Sequence, residues 1–299
     1  MVTIMLPHQS ITLRSVIRLS QTKVTLTWLM VLAENIILIL LPLFIGIAID
    51  GVLKQNMQPL ILFASILLMR VIFSVGRRFY DTRVYGDIRV KLANVVEYNL
   101  RETSVSVKDA RLTMSRELVD FLEQDLPLLI TAIVQLIATV VILATFHLQL
   151  ALCVLAAGLC MLVIYALFHQ TFTHLNGTLN DQLEQQVRVL SGEHFSAIRT
   201  HFERIKHCEI KLSDTEALVY GLIFITLFAS VLTNLWIISS LNATSVGEVF
   251  SIVAYSLEFV EAAVMLPLAL QTLSRLTEIS QRLNKNLTQH PAEEKPYEI

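Results

Sequence analysis

Charge is scarce in this chain: Asp, Glu, Lys and Arg make up only 16% of its 299 residues. A soluble domain carries about a quarter, and here 54% of residues are hydrophobic and the mean hydropathy is +0.62. The composition is that of an integral membrane protein. Glycine is scarce as well, with nine in all, and none falls in a G-x-x-x-x-G-K-[ST] loop whose backbone N–H groups would cradle phosphates. The three cysteines, Cys153, Cys160 and Cys208, make no disulfide framework. The first two share an apolar run at helical spacing and read as small buried hydrophobes. No G-x-S-x-G, H-E-x-x-H or C-x-x-C pattern occurs, so catalysis within the membrane has no support. His194, His201, His207 and Cys208 lack the i, i+3 or i+4 pairing that a zinc site wants. No cleavable secretory signal is evident in the first residues, and none is expected. Met1 to Thr22 is amphipathic and basic, and residues 1–21 read as an elbow lying on the membrane surface.

What is present is a series of apolar runs long enough to cross a bilayer. They cover about 24–49, 59–79, 127–146, 150–168, 217–240 and 247–273, within a six-span domain of residues 22–283 followed by a polar tail, 284–299. Pro42 is expected to kink the first. His147-Leu-Gln149 is nearly the whole turn between the third and fourth, so those two helices must be antiparallel neighbours. Two long polar helical stretches separate span two from three and span four from five. Of the 23 Lys and Arg residues, Lys54 lies in an outer loop and Arg70 within a span. The other 21 fall in the N-terminal segment, the two long connections with the run end that leads into the first of them (Arg77 and Arg78), and the tail. The positive-inside rule makes those regions and both termini cytosolic.

Polar residues inside the runs carry the functional reading, because a charge in hydrocarbon normally faces a protein interior or a water-filled cavity. Glu34 and Asn35 in the first span, Arg70 in the second, Gln135 in the third, and Glu258, Glu261 and Gln271 in the sixth bear that cost. Arg70 lies 11 residues after Pro59 and Glu258 lies 11 after Gly247, each roughly 16 Å from the outer face at ~1.5 Å per residue. They are expected to sit at one depth and pair. Glu34 falls near the level of Arg77 and Arg78, which suggests an inner pairing. One reading makes these charges interhelical pairs that fix packing. The other lines a substrate cavity with them, where Tyr255, Glu258, Phe259 and Ala262 share one i, i+3, i+4, i+7 face. Glu261 is left without a counterion and is the better candidate for substrate contact.

The order and spacing of several segments resemble the transmembrane domain of ATP-binding cassette (ABC) exporters. Leu41 to Leu53 (LPLFIGIAIDGVL) is similar to that family's end of span one, and Phe79 to Leu100 to its extension of span two. Ser115 to Leu129 (SRELVDFLEQDLPLL) is similar to its return into span three, and Ser245 to Leu283, with a Gly-Glu start, to its sixth span. The resemblance implies an all-α membrane fold with six transmembrane helices and two long cytosolic helical hairpins, assembled as a domain-swapped dimer. The partner would be a second copy or a similar six-span half. It implies short transverse helices at the hairpin tips that dock on ATPase domains. By position these fall at Ser104, Lys108, Asp109 and Arg111, and at His194, Phe195, Ile198 and Phe202. Leu190-Ser-Gly-Glu193 lacks the rest of the family's nucleotide signature. This chain is therefore expected to bind no cofactor and to be no enzyme, with ATP and Mg on a separate ABC ATPase subunit. Export of an amphipathic or cationic compound or peptide is the implied activity, and a bacterial inner membrane the implied location. A standalone membrane protein without ATP coupling, acting as a regulator, facilitator or channel, is the alternative.

Overall fold

The computed structural model describes residues 13–99, 105–191, 195–240 and 245–285. Most of the expected elbow, Ser104, His194 and nearly all of the C-terminal tail lie outside the described residues. All described elements are helices: α1 (Leu13–Arg18), α2 (Gln21–Leu53), α3 (Gln58–Asn99), α4 (Val105–Asp120), a π-helical turn (Phe121–Asp125), α5 (Leu126–Phe146), α6 (Leu148–Ser191), α7 (Phe195–Ser240) and α8 (Val246–Lys285). Six helical stretches are long and apolar enough to cross a membrane, as the sequence implied. The turn between α5 and α6 is His147 alone. With 42, 44 and 46 residues, α3, α6 and α7 would each run to more than ~60 Å at 1.5 Å per residue. That is about twice the hydrocarbon thickness, so all three extend well beyond the apolar layer.

The chain forms two compact units. The first comprises Met1–Thr139, Ser245–Ser251 and Glu261–Ile299. Its core gathers where α3 leaves its apolar part and becomes amphipathic. Val84, Tyr85, Ile88, Leu92 and Val96 recur at three- and four-residue intervals, and they pack with Val16 of α1, Val24 of α2, Leu118 and Val119 of α4, and Phe121 and Leu122 of the π turn. Fully burying one such aliphatic or aromatic side chain stabilises by about 1.5–3 kcal/mol. The apolar part of α3 behaves in the opposite way. Its most hydropathic 18-residue window has no buried residue, a liability in water that lipid removes.

Pro127 explains the π turn. Proline has no N–H to give to the carbonyl four residues back, and its ring clashes with that carbonyl. The helix widens by one residue instead, and the Leu126 N–H bonds to Phe121 O five residues back. The wider turn buries Phe121, Leu122 and Glu123 in succession.

α2 meets the start of α8 through backbone contact. A Cβ on Gly247 would stand 2.0 Å from the Gly46 carbonyl oxygen, and one on Gly46 would stand 2.2 Å from Ser251 Oγ. Ser251 donates to the carbonyl of Pro42 at 2.9 Å, and α2 continues unbroken through that proline. This closeness lets Asp50 cap α8. Its Oδ1 accepts the Gly247 N–H at 2.8 Å and its Oδ2 accepts the Ser245 hydroxyl. Ser245 Oγ in turn accepts the Glu248 N–H at 3.2 Å, half of a capping box.

The second unit comprises Val140–Thr244 and Ile252–Val260. α6 and α7 pack as an antiparallel hairpin. On α7 the buried residues Val219, Ile223, Leu227, Ser230, Asn234 and Ile238 form one stripe, and on α6 Leu150, Val154, Ala157 and Met161 form the other. The intervals of three and four are those of a knobs-into-holes seam.

Gly247→Ala should lower stability by about 1–3 kcal/mol through overpacking, read as a fall in melting temperature in detergent. Gly177→Ala on α6, where an added Cβ meets nothing within 4 Å, should instead be neutral or stabilising by up to about 1 kcal/mol. Equal responses would remove the backbone contact as the explanation.

Candidate functional site in the membrane

Polar side chains within and just beyond the apolar helices form separate clusters in the two units. In the first, Glu34 of α2 meets Arg77 of α3, with Nε and Oε2 2.6 Å apart, the inner pairing that the sequence suggested. Arg78 is exposed. Arg77 also reaches Asp81 through Nη1 at 3.3 Å, one turn along its own helix. Asn35 is buried, and its amide donates to the Val31 carbonyl at 2.9 Å. Gln135 is buried on α5, where Thr139 donates to its backbone carbonyl at 2.8 Å. Arg70 is half-buried.

A second guanidinium clamp lies further along α3. Arg89 bonds Asp120 at 2.6 Å, and its Nη2 also bonds Glu123 of the π turn. The Glu123 side chain is only 6% exposed, and an unpaired charge there would carry a heavy desolvation penalty. Lys23 and Asp87 also pair at 3.2 Å, but both are more than half exposed, so this bridge contributes little.

In the second unit, Asn234 of α7 donates through Nδ2 to Ser256 Oγ at 2.9 Å, and Ser256 donates to the Ile252 carbonyl at 2.8 Å. Both side chains are completely buried. Neither residue stood out in the sequence, since an Asn or Ser in an apolar run carries no charge to mark it. The signal available was the position of Asn234 on the stripe that α7 buries. Cys153 donates to the Ser230 carbonyl at 3.6 Å, so this thiol is engaged in helix packing. It is only half-buried, however, and Cys160 is exposed, against the expectation that both are buried, because the outer side of a membrane helix is as apolar as its inner side.

The residues of α8 read as a substrate face divide. Tyr255, Phe259 and Ala262 are buried. The Phe259 ring lies against Gly158 of α6, where an added Cβ would come within 3.0 Å of its Cζ. Glu258 is half-buried and Glu261 is exposed. Arg70 and Glu258 belong to different units.

The hairpin tips differ from the expected short transverse helices. Lys108, Asp109 and Arg111 belong to a helix that runs on to Asp120, and Phe195, Ile198 and Phe202 form the first turns of the 46-residue α7. Val105 to Asp120 and Phe195 to Tyr220 contain no Gly or Pro, so nothing interrupts either helix. Arg111 is buried, Lys108 and Ile198 are half-buried, and Asp109 and Phe202 are exposed.

The arrangement of membrane-length helices with long extensions has a counterpart in a known family. A family model described as ABC transporter transmembrane region matches residues 13–247. The chain belongs to that family. The match runs from the start of α1 to the first turn of α8 and so covers five of the six candidate spans. No curated protein matches the chain. As an ABC transporter transmembrane region the chain is a membrane transport subunit, and the clusters above are polar features of its spans and their extensions.

Arg89→Ala should destabilise the first unit by about 3 kcal/mol, because it strands the buried Glu123 carboxylate. Adding Glu123→Gln should recover more than half of that loss by removing the charge. Denaturation in mixed micelles measures both, and a double variant no more stable than Arg89→Ala would discard this account.

Proposed function

We propose that this chain is half of an exporter-type permease that works as a homodimer, or with a similar six-span half, by alternating access. The observation that carries the reading is Glu261. It lies 15 residues beyond Val246 on α8, roughly 22 Å along the helix at ~1.5 Å per residue, and it is exposed together with Leu257 and Met265 on one face. A carboxylate at that depth does not face lipid, so the face belongs against a water-filled cavity or a second chain. The uncovered apolar part of α3 adds a second surface suited to a membrane partner.

An acidic face with apolar neighbours suits an amphipathic cationic compound or peptide. The sequence carries no phosphate-cradling loop, and ATP hydrolysis with Mg is assigned to a separate ABC ATPase subunit. The cytosolic side is the one that carries the 21 basic residues of the long extensions and terminal segments, and a bacterial inner membrane suits such a chain. A second reading, transport or regulation without ATP coupling, draws on one observation: the tip segments continue into α4 and α7 and do not form separate docking helices.

Inverted vesicles containing the chain and a co-expressed ATPase subunit provide the test. On addition of ATP they should accumulate a cationic amphipathic dye, and Glu261→Gln should slow uptake about tenfold, the loss of one charge contact worth about 1.4 kcal/mol. Uptake indifferent to ATP favours the uncoupled reading. Uptake indifferent to Glu261→Gln removes Glu261 from the transport path.

A further inference from the structure

The basic residues along α3 do not all find partners. Five occur from Arg77 to Lys91. Arg77 and Arg89 are held in carboxylate clamps, and Lys91 donates to Ser20 Oγ at 3.1 Å, bracing the turn before α2. Arg78 and Arg83 are left over. Both are exposed, and no carboxylate lies within ion-pair distance of either among the described residues. The nearby acids are already taken, Glu34 and Asp81 by Arg77 and Asp87 by Lys23.

Pro59 opens the apolar run of α3, and Arg78 and Arg83 follow it by 19 and 24 residues, roughly 28 and 36 Å at ~1.5 Å per residue. The hydrocarbon layer is about 30 Å thick, and headgroups add about 5–8 Å on each side. The two guanidiniums therefore fall at the headgroup level on the side of the membrane where α3 emerges. Between them runs a ridge that no described residue covers. Leu68, Ile72, Val75 and Phe79 are all exposed, and they recur at the three- and four-residue intervals of one helix face. An added Cβ on Gly76 would meet nothing within 4 Å, so a notch lies open between Ile72 and Phe79.

Arg83 is already held in place. Its Nη1 donates to the Phe79 carbonyl at 2.7 Å, and its guanidinium carbon lies 5.7 Å from the centre of the Phe79 ring, an attractive arrangement. Its remaining N–H groups have no partner among the described residues. A guanidinium fixed in this way loses little freedom on meeting a phosphate, which it can hold through two parallel N–H bonds. We propose that Arg78 and Arg83 form a binding site for the phosphate of an anionic phospholipid, whose acyl chains lie along Ile72, Val75 and Phe79 and enter the notch at Gly76. Net charge selects the lipid. Two cations without counterions favour a headgroup that is anionic as a whole over a zwitterionic one. The ridge selects for acyl chains, which a free phosphate lacks. Neighbouring arginines thus face opposite ways, Arg77 toward Glu34 and Arg78 toward lipid, and the bound lipid fixes the depth at which α3 leaves the membrane. The site needs neither a second copy of the chain nor an ATPase subunit.

Native mass spectrometry of the full chain, released from detergent containing equal amounts of phosphatidylglycerol and phosphatidylcholine, tests the site. The wild type should retain one phosphatidylglycerol per chain in preference. Arg78→Gln and Arg83→Gln should each weaken that retention about fivefold, the effect expected of one basic residue beside an anionic lipid, and the double variant should show no preference. Arg83→Lys should recover only part of the loss, since an ammonium cannot make the paired contact. Arg116→Gln, which removes an exposed arginine of α4, should change nothing. Because these side chains are exposed, melting temperatures in lipid-free detergent should match the wild type. Equal retention of both lipids, or an equal loss in Arg116→Gln, would overturn the proposal by reducing the site to diffuse charge. Displacement of the lipid by soluble glycerol phosphate would do so as well, because it would show that the ridge holds no acyl chain. A disulfide formed in membranes between two chains carrying Ile72→Cys would put a second copy on the ridge in place of lipid.

Discussion

Two arginines on one helix, each shared by two carboxylates, tie the first unit together. Arg77 holds Glu34 of α2 and Asp81 of α3, and Arg89 holds Asp120 at the end of α4 and Glu123 of the π turn. Twelve residues separate them, roughly 18 Å of helix at ~1.5 Å per residue. Between them lie Val84, Tyr85 and Ile88, the middle of the buried core. The long extension of α3 is thus cross-linked at both ends by ion pairs and filled between them by apolar contact. Even the π turn serves this arrangement, since Pro127 widens the helix where Glu123 is turned inward toward Arg89.

The features readable from the sequence are those governed by one local rule. Six apolar runs require six helices, a one-residue turn at His147 requires antiparallel neighbours, and counting depth around the first hairpin brings Glu34 to Arg77. What could not be read depends on facing surfaces. Gly46 and Gly247 are 201 residues apart in the chain, and nothing in either neighbourhood announces that their backbones touch. Asn234 and Ser256 look like isolated polar residues until α7 and α8 are brought together. The tip helices were expected by family position, whereas the local sequence, free of Gly and Pro, favours continuity.

The α6 and α7 hairpin shows how polar residues can set register far from any ligand. The contact from Cys153 to the Ser230 carbonyl fixes one level of the antiparallel pair. Counting 29 residues along α6 from Cys153, and 29 back along α7 from Ser230, brings Gln182 opposite His201. Gln182 Oε1 and His201 Nε2 are both buried and without a hydrogen bond among the described residues. The count therefore places two buried polar atoms at one level of the hairpin. Polar residues within otherwise apolar seams can specify register at some cost in stability.

The same limit explains why the substrate face of α8 divided. In water, burial follows hydropathy, so a helical stripe of apolar residues identifies the inner face. In a membrane the lipid and the core are equally apolar, and hydropathy loses that power. Tyr255, Phe259 and Ala262 share a stripe with Glu258, and the small Gly158 opposite draws the Phe259 ring inward. Small residues at the facing position, and not the composition of the stripe, decide which side of α8 is covered. Glu261 then marks the other side, because a charge is the one group for which lipid and protein interior are not interchangeable.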